Sequence, residues 1–407
     1  MERRPQRLAL IWKSDPTLYA PAKYRKACAY EAYVPVPLAE SHVALDGPTA
    51  GVVSDAEGAI RALNASAHPA LAPLARLLLR TESIASSRVE GLQVGARELA
   101  HAEAKRETGQ RAGPSSMEVL ANIDAMQVAV DDATRAGAFT VQQLMAIHAR
   151  LMQHAANAKH VAGRIRETQN WIGGNDYNPC GADFVPPPPE YVPSLLEDLC
   201  EAVNDETLPP LVQAALVHAQ FETIHPFEDG NGRTGRALVQ VVLRRRGLAS
   251  DYVPPISVAL ASAREAYIAG LTDFRNGDVQ KWVERFASAT ARAAKLAQVY
   301  LRRVEQLRTT WRSRLKASEA PRADAAAWAI IDVLPGHPVI TAPVAATETG
   351  RTRPAVYDGI RQLVAAGVLE PLTGSRRNQA WEAVGLLELL GELEAGRTPS
   401  GTAGQTQ

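Results

Sequence analysis

The sequence predicts a mainly α-helical protein with a small helix-and-strand module near its carboxyl end. Aromatic residues make up only 5% of the chain, and long stretches rich in Ala and Leu have apolar residues at helical spacing. The chain has 407 residues, a length that suggests two or three domains. Because 46% of the residues are hydrophobic, there is enough apolar material for a buried core.

Helical periodicity defines most of the predicted elements in chain order. The residues before about Pro48 are rich in proline and are expected to pack as an extended strap. Helical stretches follow at 54–63, 71–89, 116–136 and 140–156. Gly, Asn and Pro then cluster between short apolar runs at 169–189, which predicts a β-hairpin or flap. Helical spacing returns at 191–202, 211–223, 234–246, 262–276 and 279–315.

The carboxyl-terminal part has the element order of a winged helix-turn-helix. After a linker at 316–322, the pattern predicts helices at 323–334, 341–349 and 354–366 and strands at 369–372 and 379–383. The third helix has the spacing of a recognition helix. Its outward side chains would be Arg351, Thr352, Arg353, Tyr357 and Arg361, with Arg376 and Arg377 at the wing tip. The predicted domains are 1–115, 116–315 and 323–390, and 396–407 is expected to be a disordered tail.

Charge and cysteine content exclude several classes of protein. The 44 Lys and Arg residues balance 44 Asp and Glu residues, which argues against a protein that coats nucleic acid or membrane with its whole surface. No apolar run is long enough to span a bilayer, and the first residues lack the pattern of a signal peptide. Three scattered cysteines, Cys28, Cys180 and Cys200, argue against a disulfide framework or a cysteine zinc site. We therefore expect a cytoplasmic protein.

Residues 225–236, HPFEDGNGRTGR, carry the most informative pattern. An apolar-periodic helix ends at the His-Pro pair, and a second helix begins near Arg233. The glycine-rich loop between them would present backbone N–H groups at a helix N-terminus, which is an anion-binding arrangement. Arg233 and Arg236 lie one helical turn apart and can both contact one phosphate.

Two other side chains in this segment suggest catalysis. Asp229 directly precedes the loop glycine, and a carboxylate beside a polyphosphate commonly holds Mg²⁺. His225 stands at the other end of the loop, where it could act as a general base. No Lys follows the glycines, so the loop is not a P-loop. A lone Gly-Asn-Gly is typical of a turn, but the combination of base, carboxylate, loop and two arginines favours a phosphate site.

These residues resemble the signature of the Fic family, His-x-Phe-x-Asp/Glu-Gly-Asn-Gly-Arg-x-x-Arg, at every specified position. The resemblance implies a helical catalytic domain with a β-hairpin flap that transfers AMP from ATP to a hydroxyl side chain (Ser, Thr or Tyr) of a target protein. Pyrophosphate would leave after attack at the α-phosphorus. The implied roles are His225 as base, Asp229 as Mg²⁺ ligand, Gly230, Asn231 and Gly232 as phosphate nest, and Arg233 and Arg236 as ligands of the outer phosphates.

A second segment, SSRVEG at residues 86–91, matches the inhibitory motif of the same family, Ser/Thr-x-x-x-Glu-Gly/Asn. Ser86 and Glu90 are i,i+4 neighbours on the predicted helix, and Gly91 fits its C-terminus. A Glu in the last turn opposes the helix dipole, which suggests an external partner; a solvated surface Glu is the alternative. The resemblance implies that Glu90 pairs with Arg236 of the same chain and blocks the γ-phosphate, so the protein would be autoinhibited.

Two further assignments depend on the resemblance, which covers roughly residues 33–297. In the family, the segment corresponding to 163–185 is a flap that docks the target's backbone by strand addition; an ordinary surface hairpin is the alternative. Family members carry an aromatic pair near the adenine. Here a single Tyr267 stands at that place, and it is either an adenine contact or a core residue.

Other functions stay open at this point. The chain could be a DNA-binding regulator that senses nucleotide, with modest and salt-dependent DNA contact through the winged helix. It could also remove AMP from modified proteins, with Glu90 positioning water, or transfer another nucleotide or phosphate-containing group. The intact His225 favours an enzyme, since a sensor needs no base. A homodimer is also left open.

Overall fold

The computed structural model describes residues 4–397, apart from 42, 66–71, 108, 133–134, 136, 319 and 373–378. Most of these residues are helical, which confirms the predicted fold class. The helices are α1 (Gly47–Ala65), α2 (Ala72–Val89), α3 (Ala96–Glu107), α4 (Pro114–Gln127), α5 (Val141–Met152), α6 (Ala158–Val161), α7 (Val192–Asn204), α8 (Pro210–Ile224), α9 (Asn231–Arg245), α10 (Ile256–Ser262), α11 (Arg264–Arg275), α12 (Val279–Ser318), α13 (Ala326–Val333), α14 (Ala342–Thr349), α15 (Arg353–Ala365) and α16 (Leu386–Glu394). The strands are β1 (Gln6–Trp12), β2 (Cys28–Val34), β3 (Val339–Thr341), β4 (Leu369–Pro371) and β5 (Ala380–Ala383).

Several elements differ from their sequence predictions. The proline-rich start forms an antiparallel hairpin in which Gln6 of β1 lies opposite Val34 of β2. The stretch predicted as one helix at 116–136 is α4 followed by a π-helical turn, Val128–Asp132. The predicted flap hairpin is closed by a single antiparallel bridge between Ile172 and Phe184. Helices α3, α6, α10 and α16 were not predicted.

The chain forms two compact units that interleave along the sequence. Unit one contains residues 1–54, 125–247 and 265–287, and unit two contains residues 55–124, 248–264 and 288–407. Each unit is therefore assembled from segments that are far apart in the chain. The contiguous domain boundaries given above stay a prediction.

Helix α8 forms the centre of unit one. Its residues from Leu211 to Ile224 are all buried, as expected of a helix surrounded by other elements. The Trp282 indole N–H donates to the Ala215 carbonyl at 2.8 Å. Helix α9 packs closely on α8 at Gly235, where an added Cβ would lie 2.7 Å from Glu222 Oε1 and 2.8 Å from Phe221 Cδ1. Only glycine permits this approach.

Helix α2 packs against several other helices of unit two. Its buried Glu82 carboxylate accepts hydrogen bonds from the Ser257 N–H (2.8 Å) and hydroxyl (2.6 Å) at the start of α10. On another side, Asn122 of α4 donates to the Ser83 carbonyl at 2.7 Å. These polar contacts fix the packing of α2 in addition to its leucine-rich apolar face.

The carboxyl-terminal part of unit two runs α13, β3, α14, α15, β4, β5. Its three strands form an antiparallel sheet in the order β3-β5-β4. Arg376 and Arg377, predicted at the wing tip, and the tail beyond residue 397 lie outside the described residues. Helix α16 follows β5 and packs on α2, where Arg88 Nη2 lies 3.4 Å from Glu394 Oε2.

None of the helices in the described part of the chain has the length and apolar content that crossing a bilayer requires.

Candidate active site

The turn between α8 and α9 brings together most of the predicted site residues. Helix α8 ends at His225, which takes a left-handed conformation with φ 49° and donates its N–H to the Phe221 carbonyl at 2.9 Å. Pro226 cannot continue the helix. Gly230, also left-handed with φ 76°, then caps the start of α9. The imidazole of His225 is half-buried, whereas Asp229 on the same turn is exposed.

The side chain of Asn231 holds the turn closed. Its Oδ1 accepts the Phe227 N–H at 2.9 Å, and its Nδ2 donates to the Phe227 carbonyl at 2.8 Å. An amide is the side chain that can accept and donate in this way. Asn231 thus contributes its side chain to the loop and its main chain to the first turn of α9.

The N-terminus of α9 has an arrangement of main-chain N–H groups that favours an anion. The first main-chain hydrogen bond of this helix runs from the Thr234 N–H to the Gly230 carbonyl at 3.0 Å, so the N–H groups of residues 231–233 precede it. These groups and the helix dipole favour a negatively charged ligand. An added Cβ at Gly230 would meet Met152 Sδ at 3.0 Å and Leu151 Cδ2 at 3.1 Å, so a side chain there would require these neighbours to shift, in addition to the strain of the positive φ.

Arg233 and Arg236 project from the first turns of α9 and are both buried, at 5% and 2% exposure. Arg233 Nη2 lies 3.6 Å from Asp229 Oδ1. Buried guanidinium groups beside a helix N-terminus concentrate positive charge, which suits phosphate oxygens.

The single carboxylate of Asp229 fits a Mg²⁺ ion that shares its ligands with a bound polyphosphate. Its side chain is 64% exposed and accepts the Gly230 N–H at 2.6 Å. Among the described residues, no group of three or more His, Cys, Asp or Glu side chains could hold a metal by itself. Mg²⁺ needs no such group, because it commonly takes one or two carboxylates together with phosphates and water.

His148 of α5 contacts the turn through a hydrogen bond and a stacked ring. Sequence analysis did not identify this residue. Its Nδ1 accepts the Gly163 N–H at 3.0 Å, so the proton resides on Nε2, which donates to the Asp229 carbonyl at 3.0 Å. The imidazole stacks on Phe227 with 3.7 Å between ring centroids. Burial lowers the pKa of His148 to about 4, which keeps the ring neutral at pH 7.

Tyr267 lies in an aromatic cluster of unit one. It is 7% exposed, and its hydroxyl is 2.8 Å from His218 Nε2. Trp282 and Phe286 complete the cluster. This packing favours the core assignment of Tyr267 over the predicted adenine contact.

The predicted inhibitory residues lie at the end of α2 in unit two. Helix α2 ends at Val89, and Glu90 is exposed in the turn that follows. Gly91 has φ 86°, and its N–H donates to the Arg88 carbonyl at 3.0 Å, as expected of a glycine that ends a helix. Ser86 is fully buried, so the two motif positions differ sharply in exposure.

The predicted flap carries a disulfide, and here the expectation from cysteine number is wrong. Cys28 at the start of β2 is bonded to Cys180 of the flap, with 6.2 Å between their Cα atoms, while Cys200 is a buried free thiol. No local pattern indicates this pair, since the two cysteines are 152 residues apart in the chain. The cysteines therefore no longer argue for a reducing compartment.

Comparison with known proteins identifies two matching regions. Residues 138–243 match the model of the Fic/DOC family, and residues 52–131 match the Fic/DOC family N-terminal model. A protein adenylyltransferase, fic-1 of Caenorhabditis elegans, is 33% identical over 151 residues, 36% of this chain and 26% of that protein. A probable protein adenylyltransferase of Aquifex aeolicus is 38% identical over 100 residues, 24% of this chain and 29% of that protein.

The chain thus spans less than a third of the length of these two relatives. Among solved structures, a Fic family protein from Desulfovibrio desulfuricans has a similar fold, with a TM-score of 0.51 and 21% identity. That similarity covers 84% of this chain and 98% of the other. It extends over most of the fold described above.

Proposed function

We propose that this chain, which matches the Fic/DOC family models over residues 52–131 and 138–243, transfers AMP from ATP to a hydroxyl side chain (Ser, Thr or Tyr) of a target protein. The observation that supports this most directly is the α8–α9 turn. It joins a half-buried histidine, an exposed carboxylate and a helix N-terminus flanked by two buried arginines. This is the set of groups that nucleotidyl transfer requires.

In the proposed reaction, the unprotonated imidazole of His225 accepts the proton of the target hydroxyl. The hydroxyl oxygen attacks the α-phosphorus, the bond to the bridging oxygen of the β-phosphate breaks, and pyrophosphate leaves. The N-terminus of α9 and the guanidinium groups of Arg233 and Arg236 offset the charge of the phosphates throughout. Mg²⁺ held by Asp229 would supply further positive charge at the leaving phosphates.

The direct test uses His225. We expect the His225→Ala protein, given ATP labelled in its adenosine part, Mg²⁺ and a cell lysate, to label proteins at least about a hundredfold more slowly than the parent chain. ATP affinity should stay nearly unchanged, because the phosphate-binding groups remain. His160→Ala, at an exposed histidine, is the matched control and should label normally. Undiminished labelling by His225→Ala would contradict the proposal.

Autoinhibition by Glu90 is part of the same proposal. It is supported by the match of residues 86–91 to the family's inhibitory motif and by the exposure of Glu90 beyond the end of α2. A carboxylate that engages Arg236 would compete with the γ-phosphate for one guanidinium. The opposite activity, removal of AMP with Glu90 orienting water, would be recognised by AMP release that Glu90→Gly abolishes.

A second candidate function is DNA binding by the α13–β5 module. The element order and the sheet order β3-β5-β4 support the assignment of a winged helix. On α15, the side chain of Arg361 is 75% exposed, and Tyr357 is 54% exposed. Gel-shift assays with duplex DNA at about 50 and 200 mM salt test this function, since phosphate contacts weaken steeply over that range. No shift at the lower salt would exclude it.

A further inference from the structure

Residues 166–170, near the start of the flap, form its base and donate hydrogen bonds to the main chain of the turn between α8 and α9. This turn, residues 225–230, is the proposed catalytic turn. Arg166 is only 3% exposed, and its guanidinium Nε donates to the His225 carbonyl at 2.9 Å. Its Nη2 also lies 3.4 Å from the Ile224 carbonyl, and its main-chain N–H donates to Pro226 at 3.0 Å. One residue thus contacts three successive carbonyls at the end of α8.

The same guanidinium contacts both ends of the flap. Nη1 donates to the Thr168 carbonyl at 3.0 Å, and Nη2 donates to the Pro187 carbonyl at 2.5 Å. Burial lowers the pKa of Arg166 to about 10, so the group keeps its charge at pH 7. A cation is favoured here because the carboxyl end of a helix is the negative end of its dipole.

Asn170, four residues after Arg166, adds a second link between the flap and the turn. Its Nδ2 lies 3.2 Å from the His225 carbonyl and donates to the Phe227 carbonyl at 2.9 Å. The Phe227 carbonyl is also the acceptor of Asn231. Asn170 therefore joins the flap to the residue that holds the catalytic turn closed.

The hydrogen bonds from Arg166 and Asn170 reach a residue, His225, whose backbone conformation is strained. His225 has φ 49°, a left-handed conformation that is unfavourable for a residue with a Cβ. Such a conformation persists only where its surroundings impose it. The His225 carbonyl accepts from both Arg166 and Asn170, so the flap base sets the peptide plane that follows the catalytic histidine.

We propose that Arg166 and Asn170 are positioning residues for His225, which hold its main chain and thereby connect the target-docking flap to the catalytic base. The inference rests on the proposed AMP transfer, in which the flap receives the target. If the hydrogen bonds of Arg166 or of Asn170 are lost, the imidazole of His225 should change its orientation, while the proposed nucleotide site at α9 stays intact. The rate of transfer should fall, and the KM for ATP should not change.

Asn170→Asp is the sharpest variant, because it keeps the size of the side chain but turns a carboxylate toward two carbonyl oxygens. We expect kcat for target labelling to fall about ten- to a hundredfold. The acid limb of the pH–rate profile should also move to higher pH, because a nearby anion favours the protonated imidazole. Asn64→Asp is the matched control: Asn64 Nδ2 also donates to two main-chain carbonyls, those of Ile60 at 3.1 Å and Tyr252 at 3.2 Å, and it lies outside both the flap and the turn. It should leave both readouts unchanged.

A readout without turnover separates this inference from the proposed function. The ring resonances of His225, assigned by their absence in His225→Ala, should shift and titrate at higher pH in Asn170→Asp and stay as in the parent chain in Asn64→Asp. Arg166→Lys retains the charge with fewer donors and adds no anion, so it should shift the His225 resonances and lower kcat without moving the titration. A folded Asn170→Asp protein with unchanged His225 resonances and pH profile would overturn the inference, whether or not the parent chain labels any protein.

Discussion

Among single residues, Glu90 is predicted to inhibit the proposed AMP transfer. We expect Glu90→Gly and Glu90→Gln to raise the initial rate of labelling, because both remove the charge that would compete for Arg236. An increase beyond about tenfold would indicate a sheltered pair, since exposed ion pairs contribute under about 1 kcal/mol. Arg236→Ala should not activate, because it also removes a phosphate ligand. Equal rates for the parent and both Glu90 variants would contradict autoinhibition.

The burial of His148 makes the stability of the folded chain depend on pH. Its pKa falls from an ordinary value of 6.5 to about 4 on folding, so between these values the unfolded chain binds more protons than the folded chain. The free energy of unfolding should therefore rise with pH across this window, by up to about 3 kcal/mol for this group. Below pH 4 the contribution is lost.

Urea unfolding at several pH values between 4 and 7 checks this expectation. His148→Gln, which replaces the ring with a neutral amide, should flatten the dependence over that window. His160→Gln, at an exposed position, should leave it as it is. A parent chain whose stability does not change between pH 4 and 6.5 would show that His148 titrates normally in the folded state.

At the scale of elements, the flap and the β1–β2 hairpin pack as one assembly. Besides the disulfide, Trp12 meets Trp171 edge to face at 5.7 Å and Tyr24 stacks on Tyr177 at 5.2 Å between ring centroids. The disulfide closes a long loop, so its reduction should lower the free energy of unfolding by about 2–4 kcal/mol.

This expectation is checked by denaturant unfolding with and without a thiol reductant. Cys28→Ser should behave as the reduced parent does and should no longer respond to the reductant. Cys200→Ser removes the free cysteine and should keep the response. Intact mass after blocking free thiols counts the cysteines that are bonded; three blocked cysteines in the untreated chain would contradict the pairing.

Local pattern explains which elements and residues could be predicted. The α8–α9 turn is contained within twelve consecutive residues, 225–236, so its chemistry can be recognised from the chain alone. His148, Arg166 and Asn170 reach that turn from 55–81 residues away, and their residue types occur on any helix or loop. Helix α3 escaped prediction because its buried face consists of one Leu and four Ala residues, which gives a weak apolar period.

At the scale of the whole molecule, α2 depends on the last quarter of the chain. Arg76 of α2 lies 3.6 Å from Glu348, and Arg88 lies 3.4 Å from Glu394. An added Cβ at Gly336 would come within 3.3 Å of Pro73, so the backbones also approach closely. The helix that precedes Glu90 is thus packed against α16 and the residues around α13 and α14.

Truncation after Leu315 should therefore affect regulation before chemistry. We expect the shortened protein to lose an unfolding transition or to melt several degrees lower, because α2 loses buried contacts. Labelling should persist or increase, since no residue of the proposed reaction lies beyond Leu315. The measurement is calorimetry alongside the labelling assay, with truncation after Arg397 as the matched control. A stable truncated protein with unchanged labelling would show that α2 does not need these contacts.

The interleaving of the two units has a consequence for the order of biosynthesis. Unit one ends at residue 287, whereas unit two draws on residues 288–407. A ribosome that adds about 5–20 residues per second needs roughly 6–24 s for this remainder. During that interval the nascent chain already holds every residue of the α8–α9 turn, but the carboxyl-terminal partners of α2, such as Glu348 and Glu394, have yet to be translated. The residues of the proposed catalytic site are therefore all synthesised before the contacts that hold α2, the helix that precedes the proposed inhibitory Glu90, can be completed.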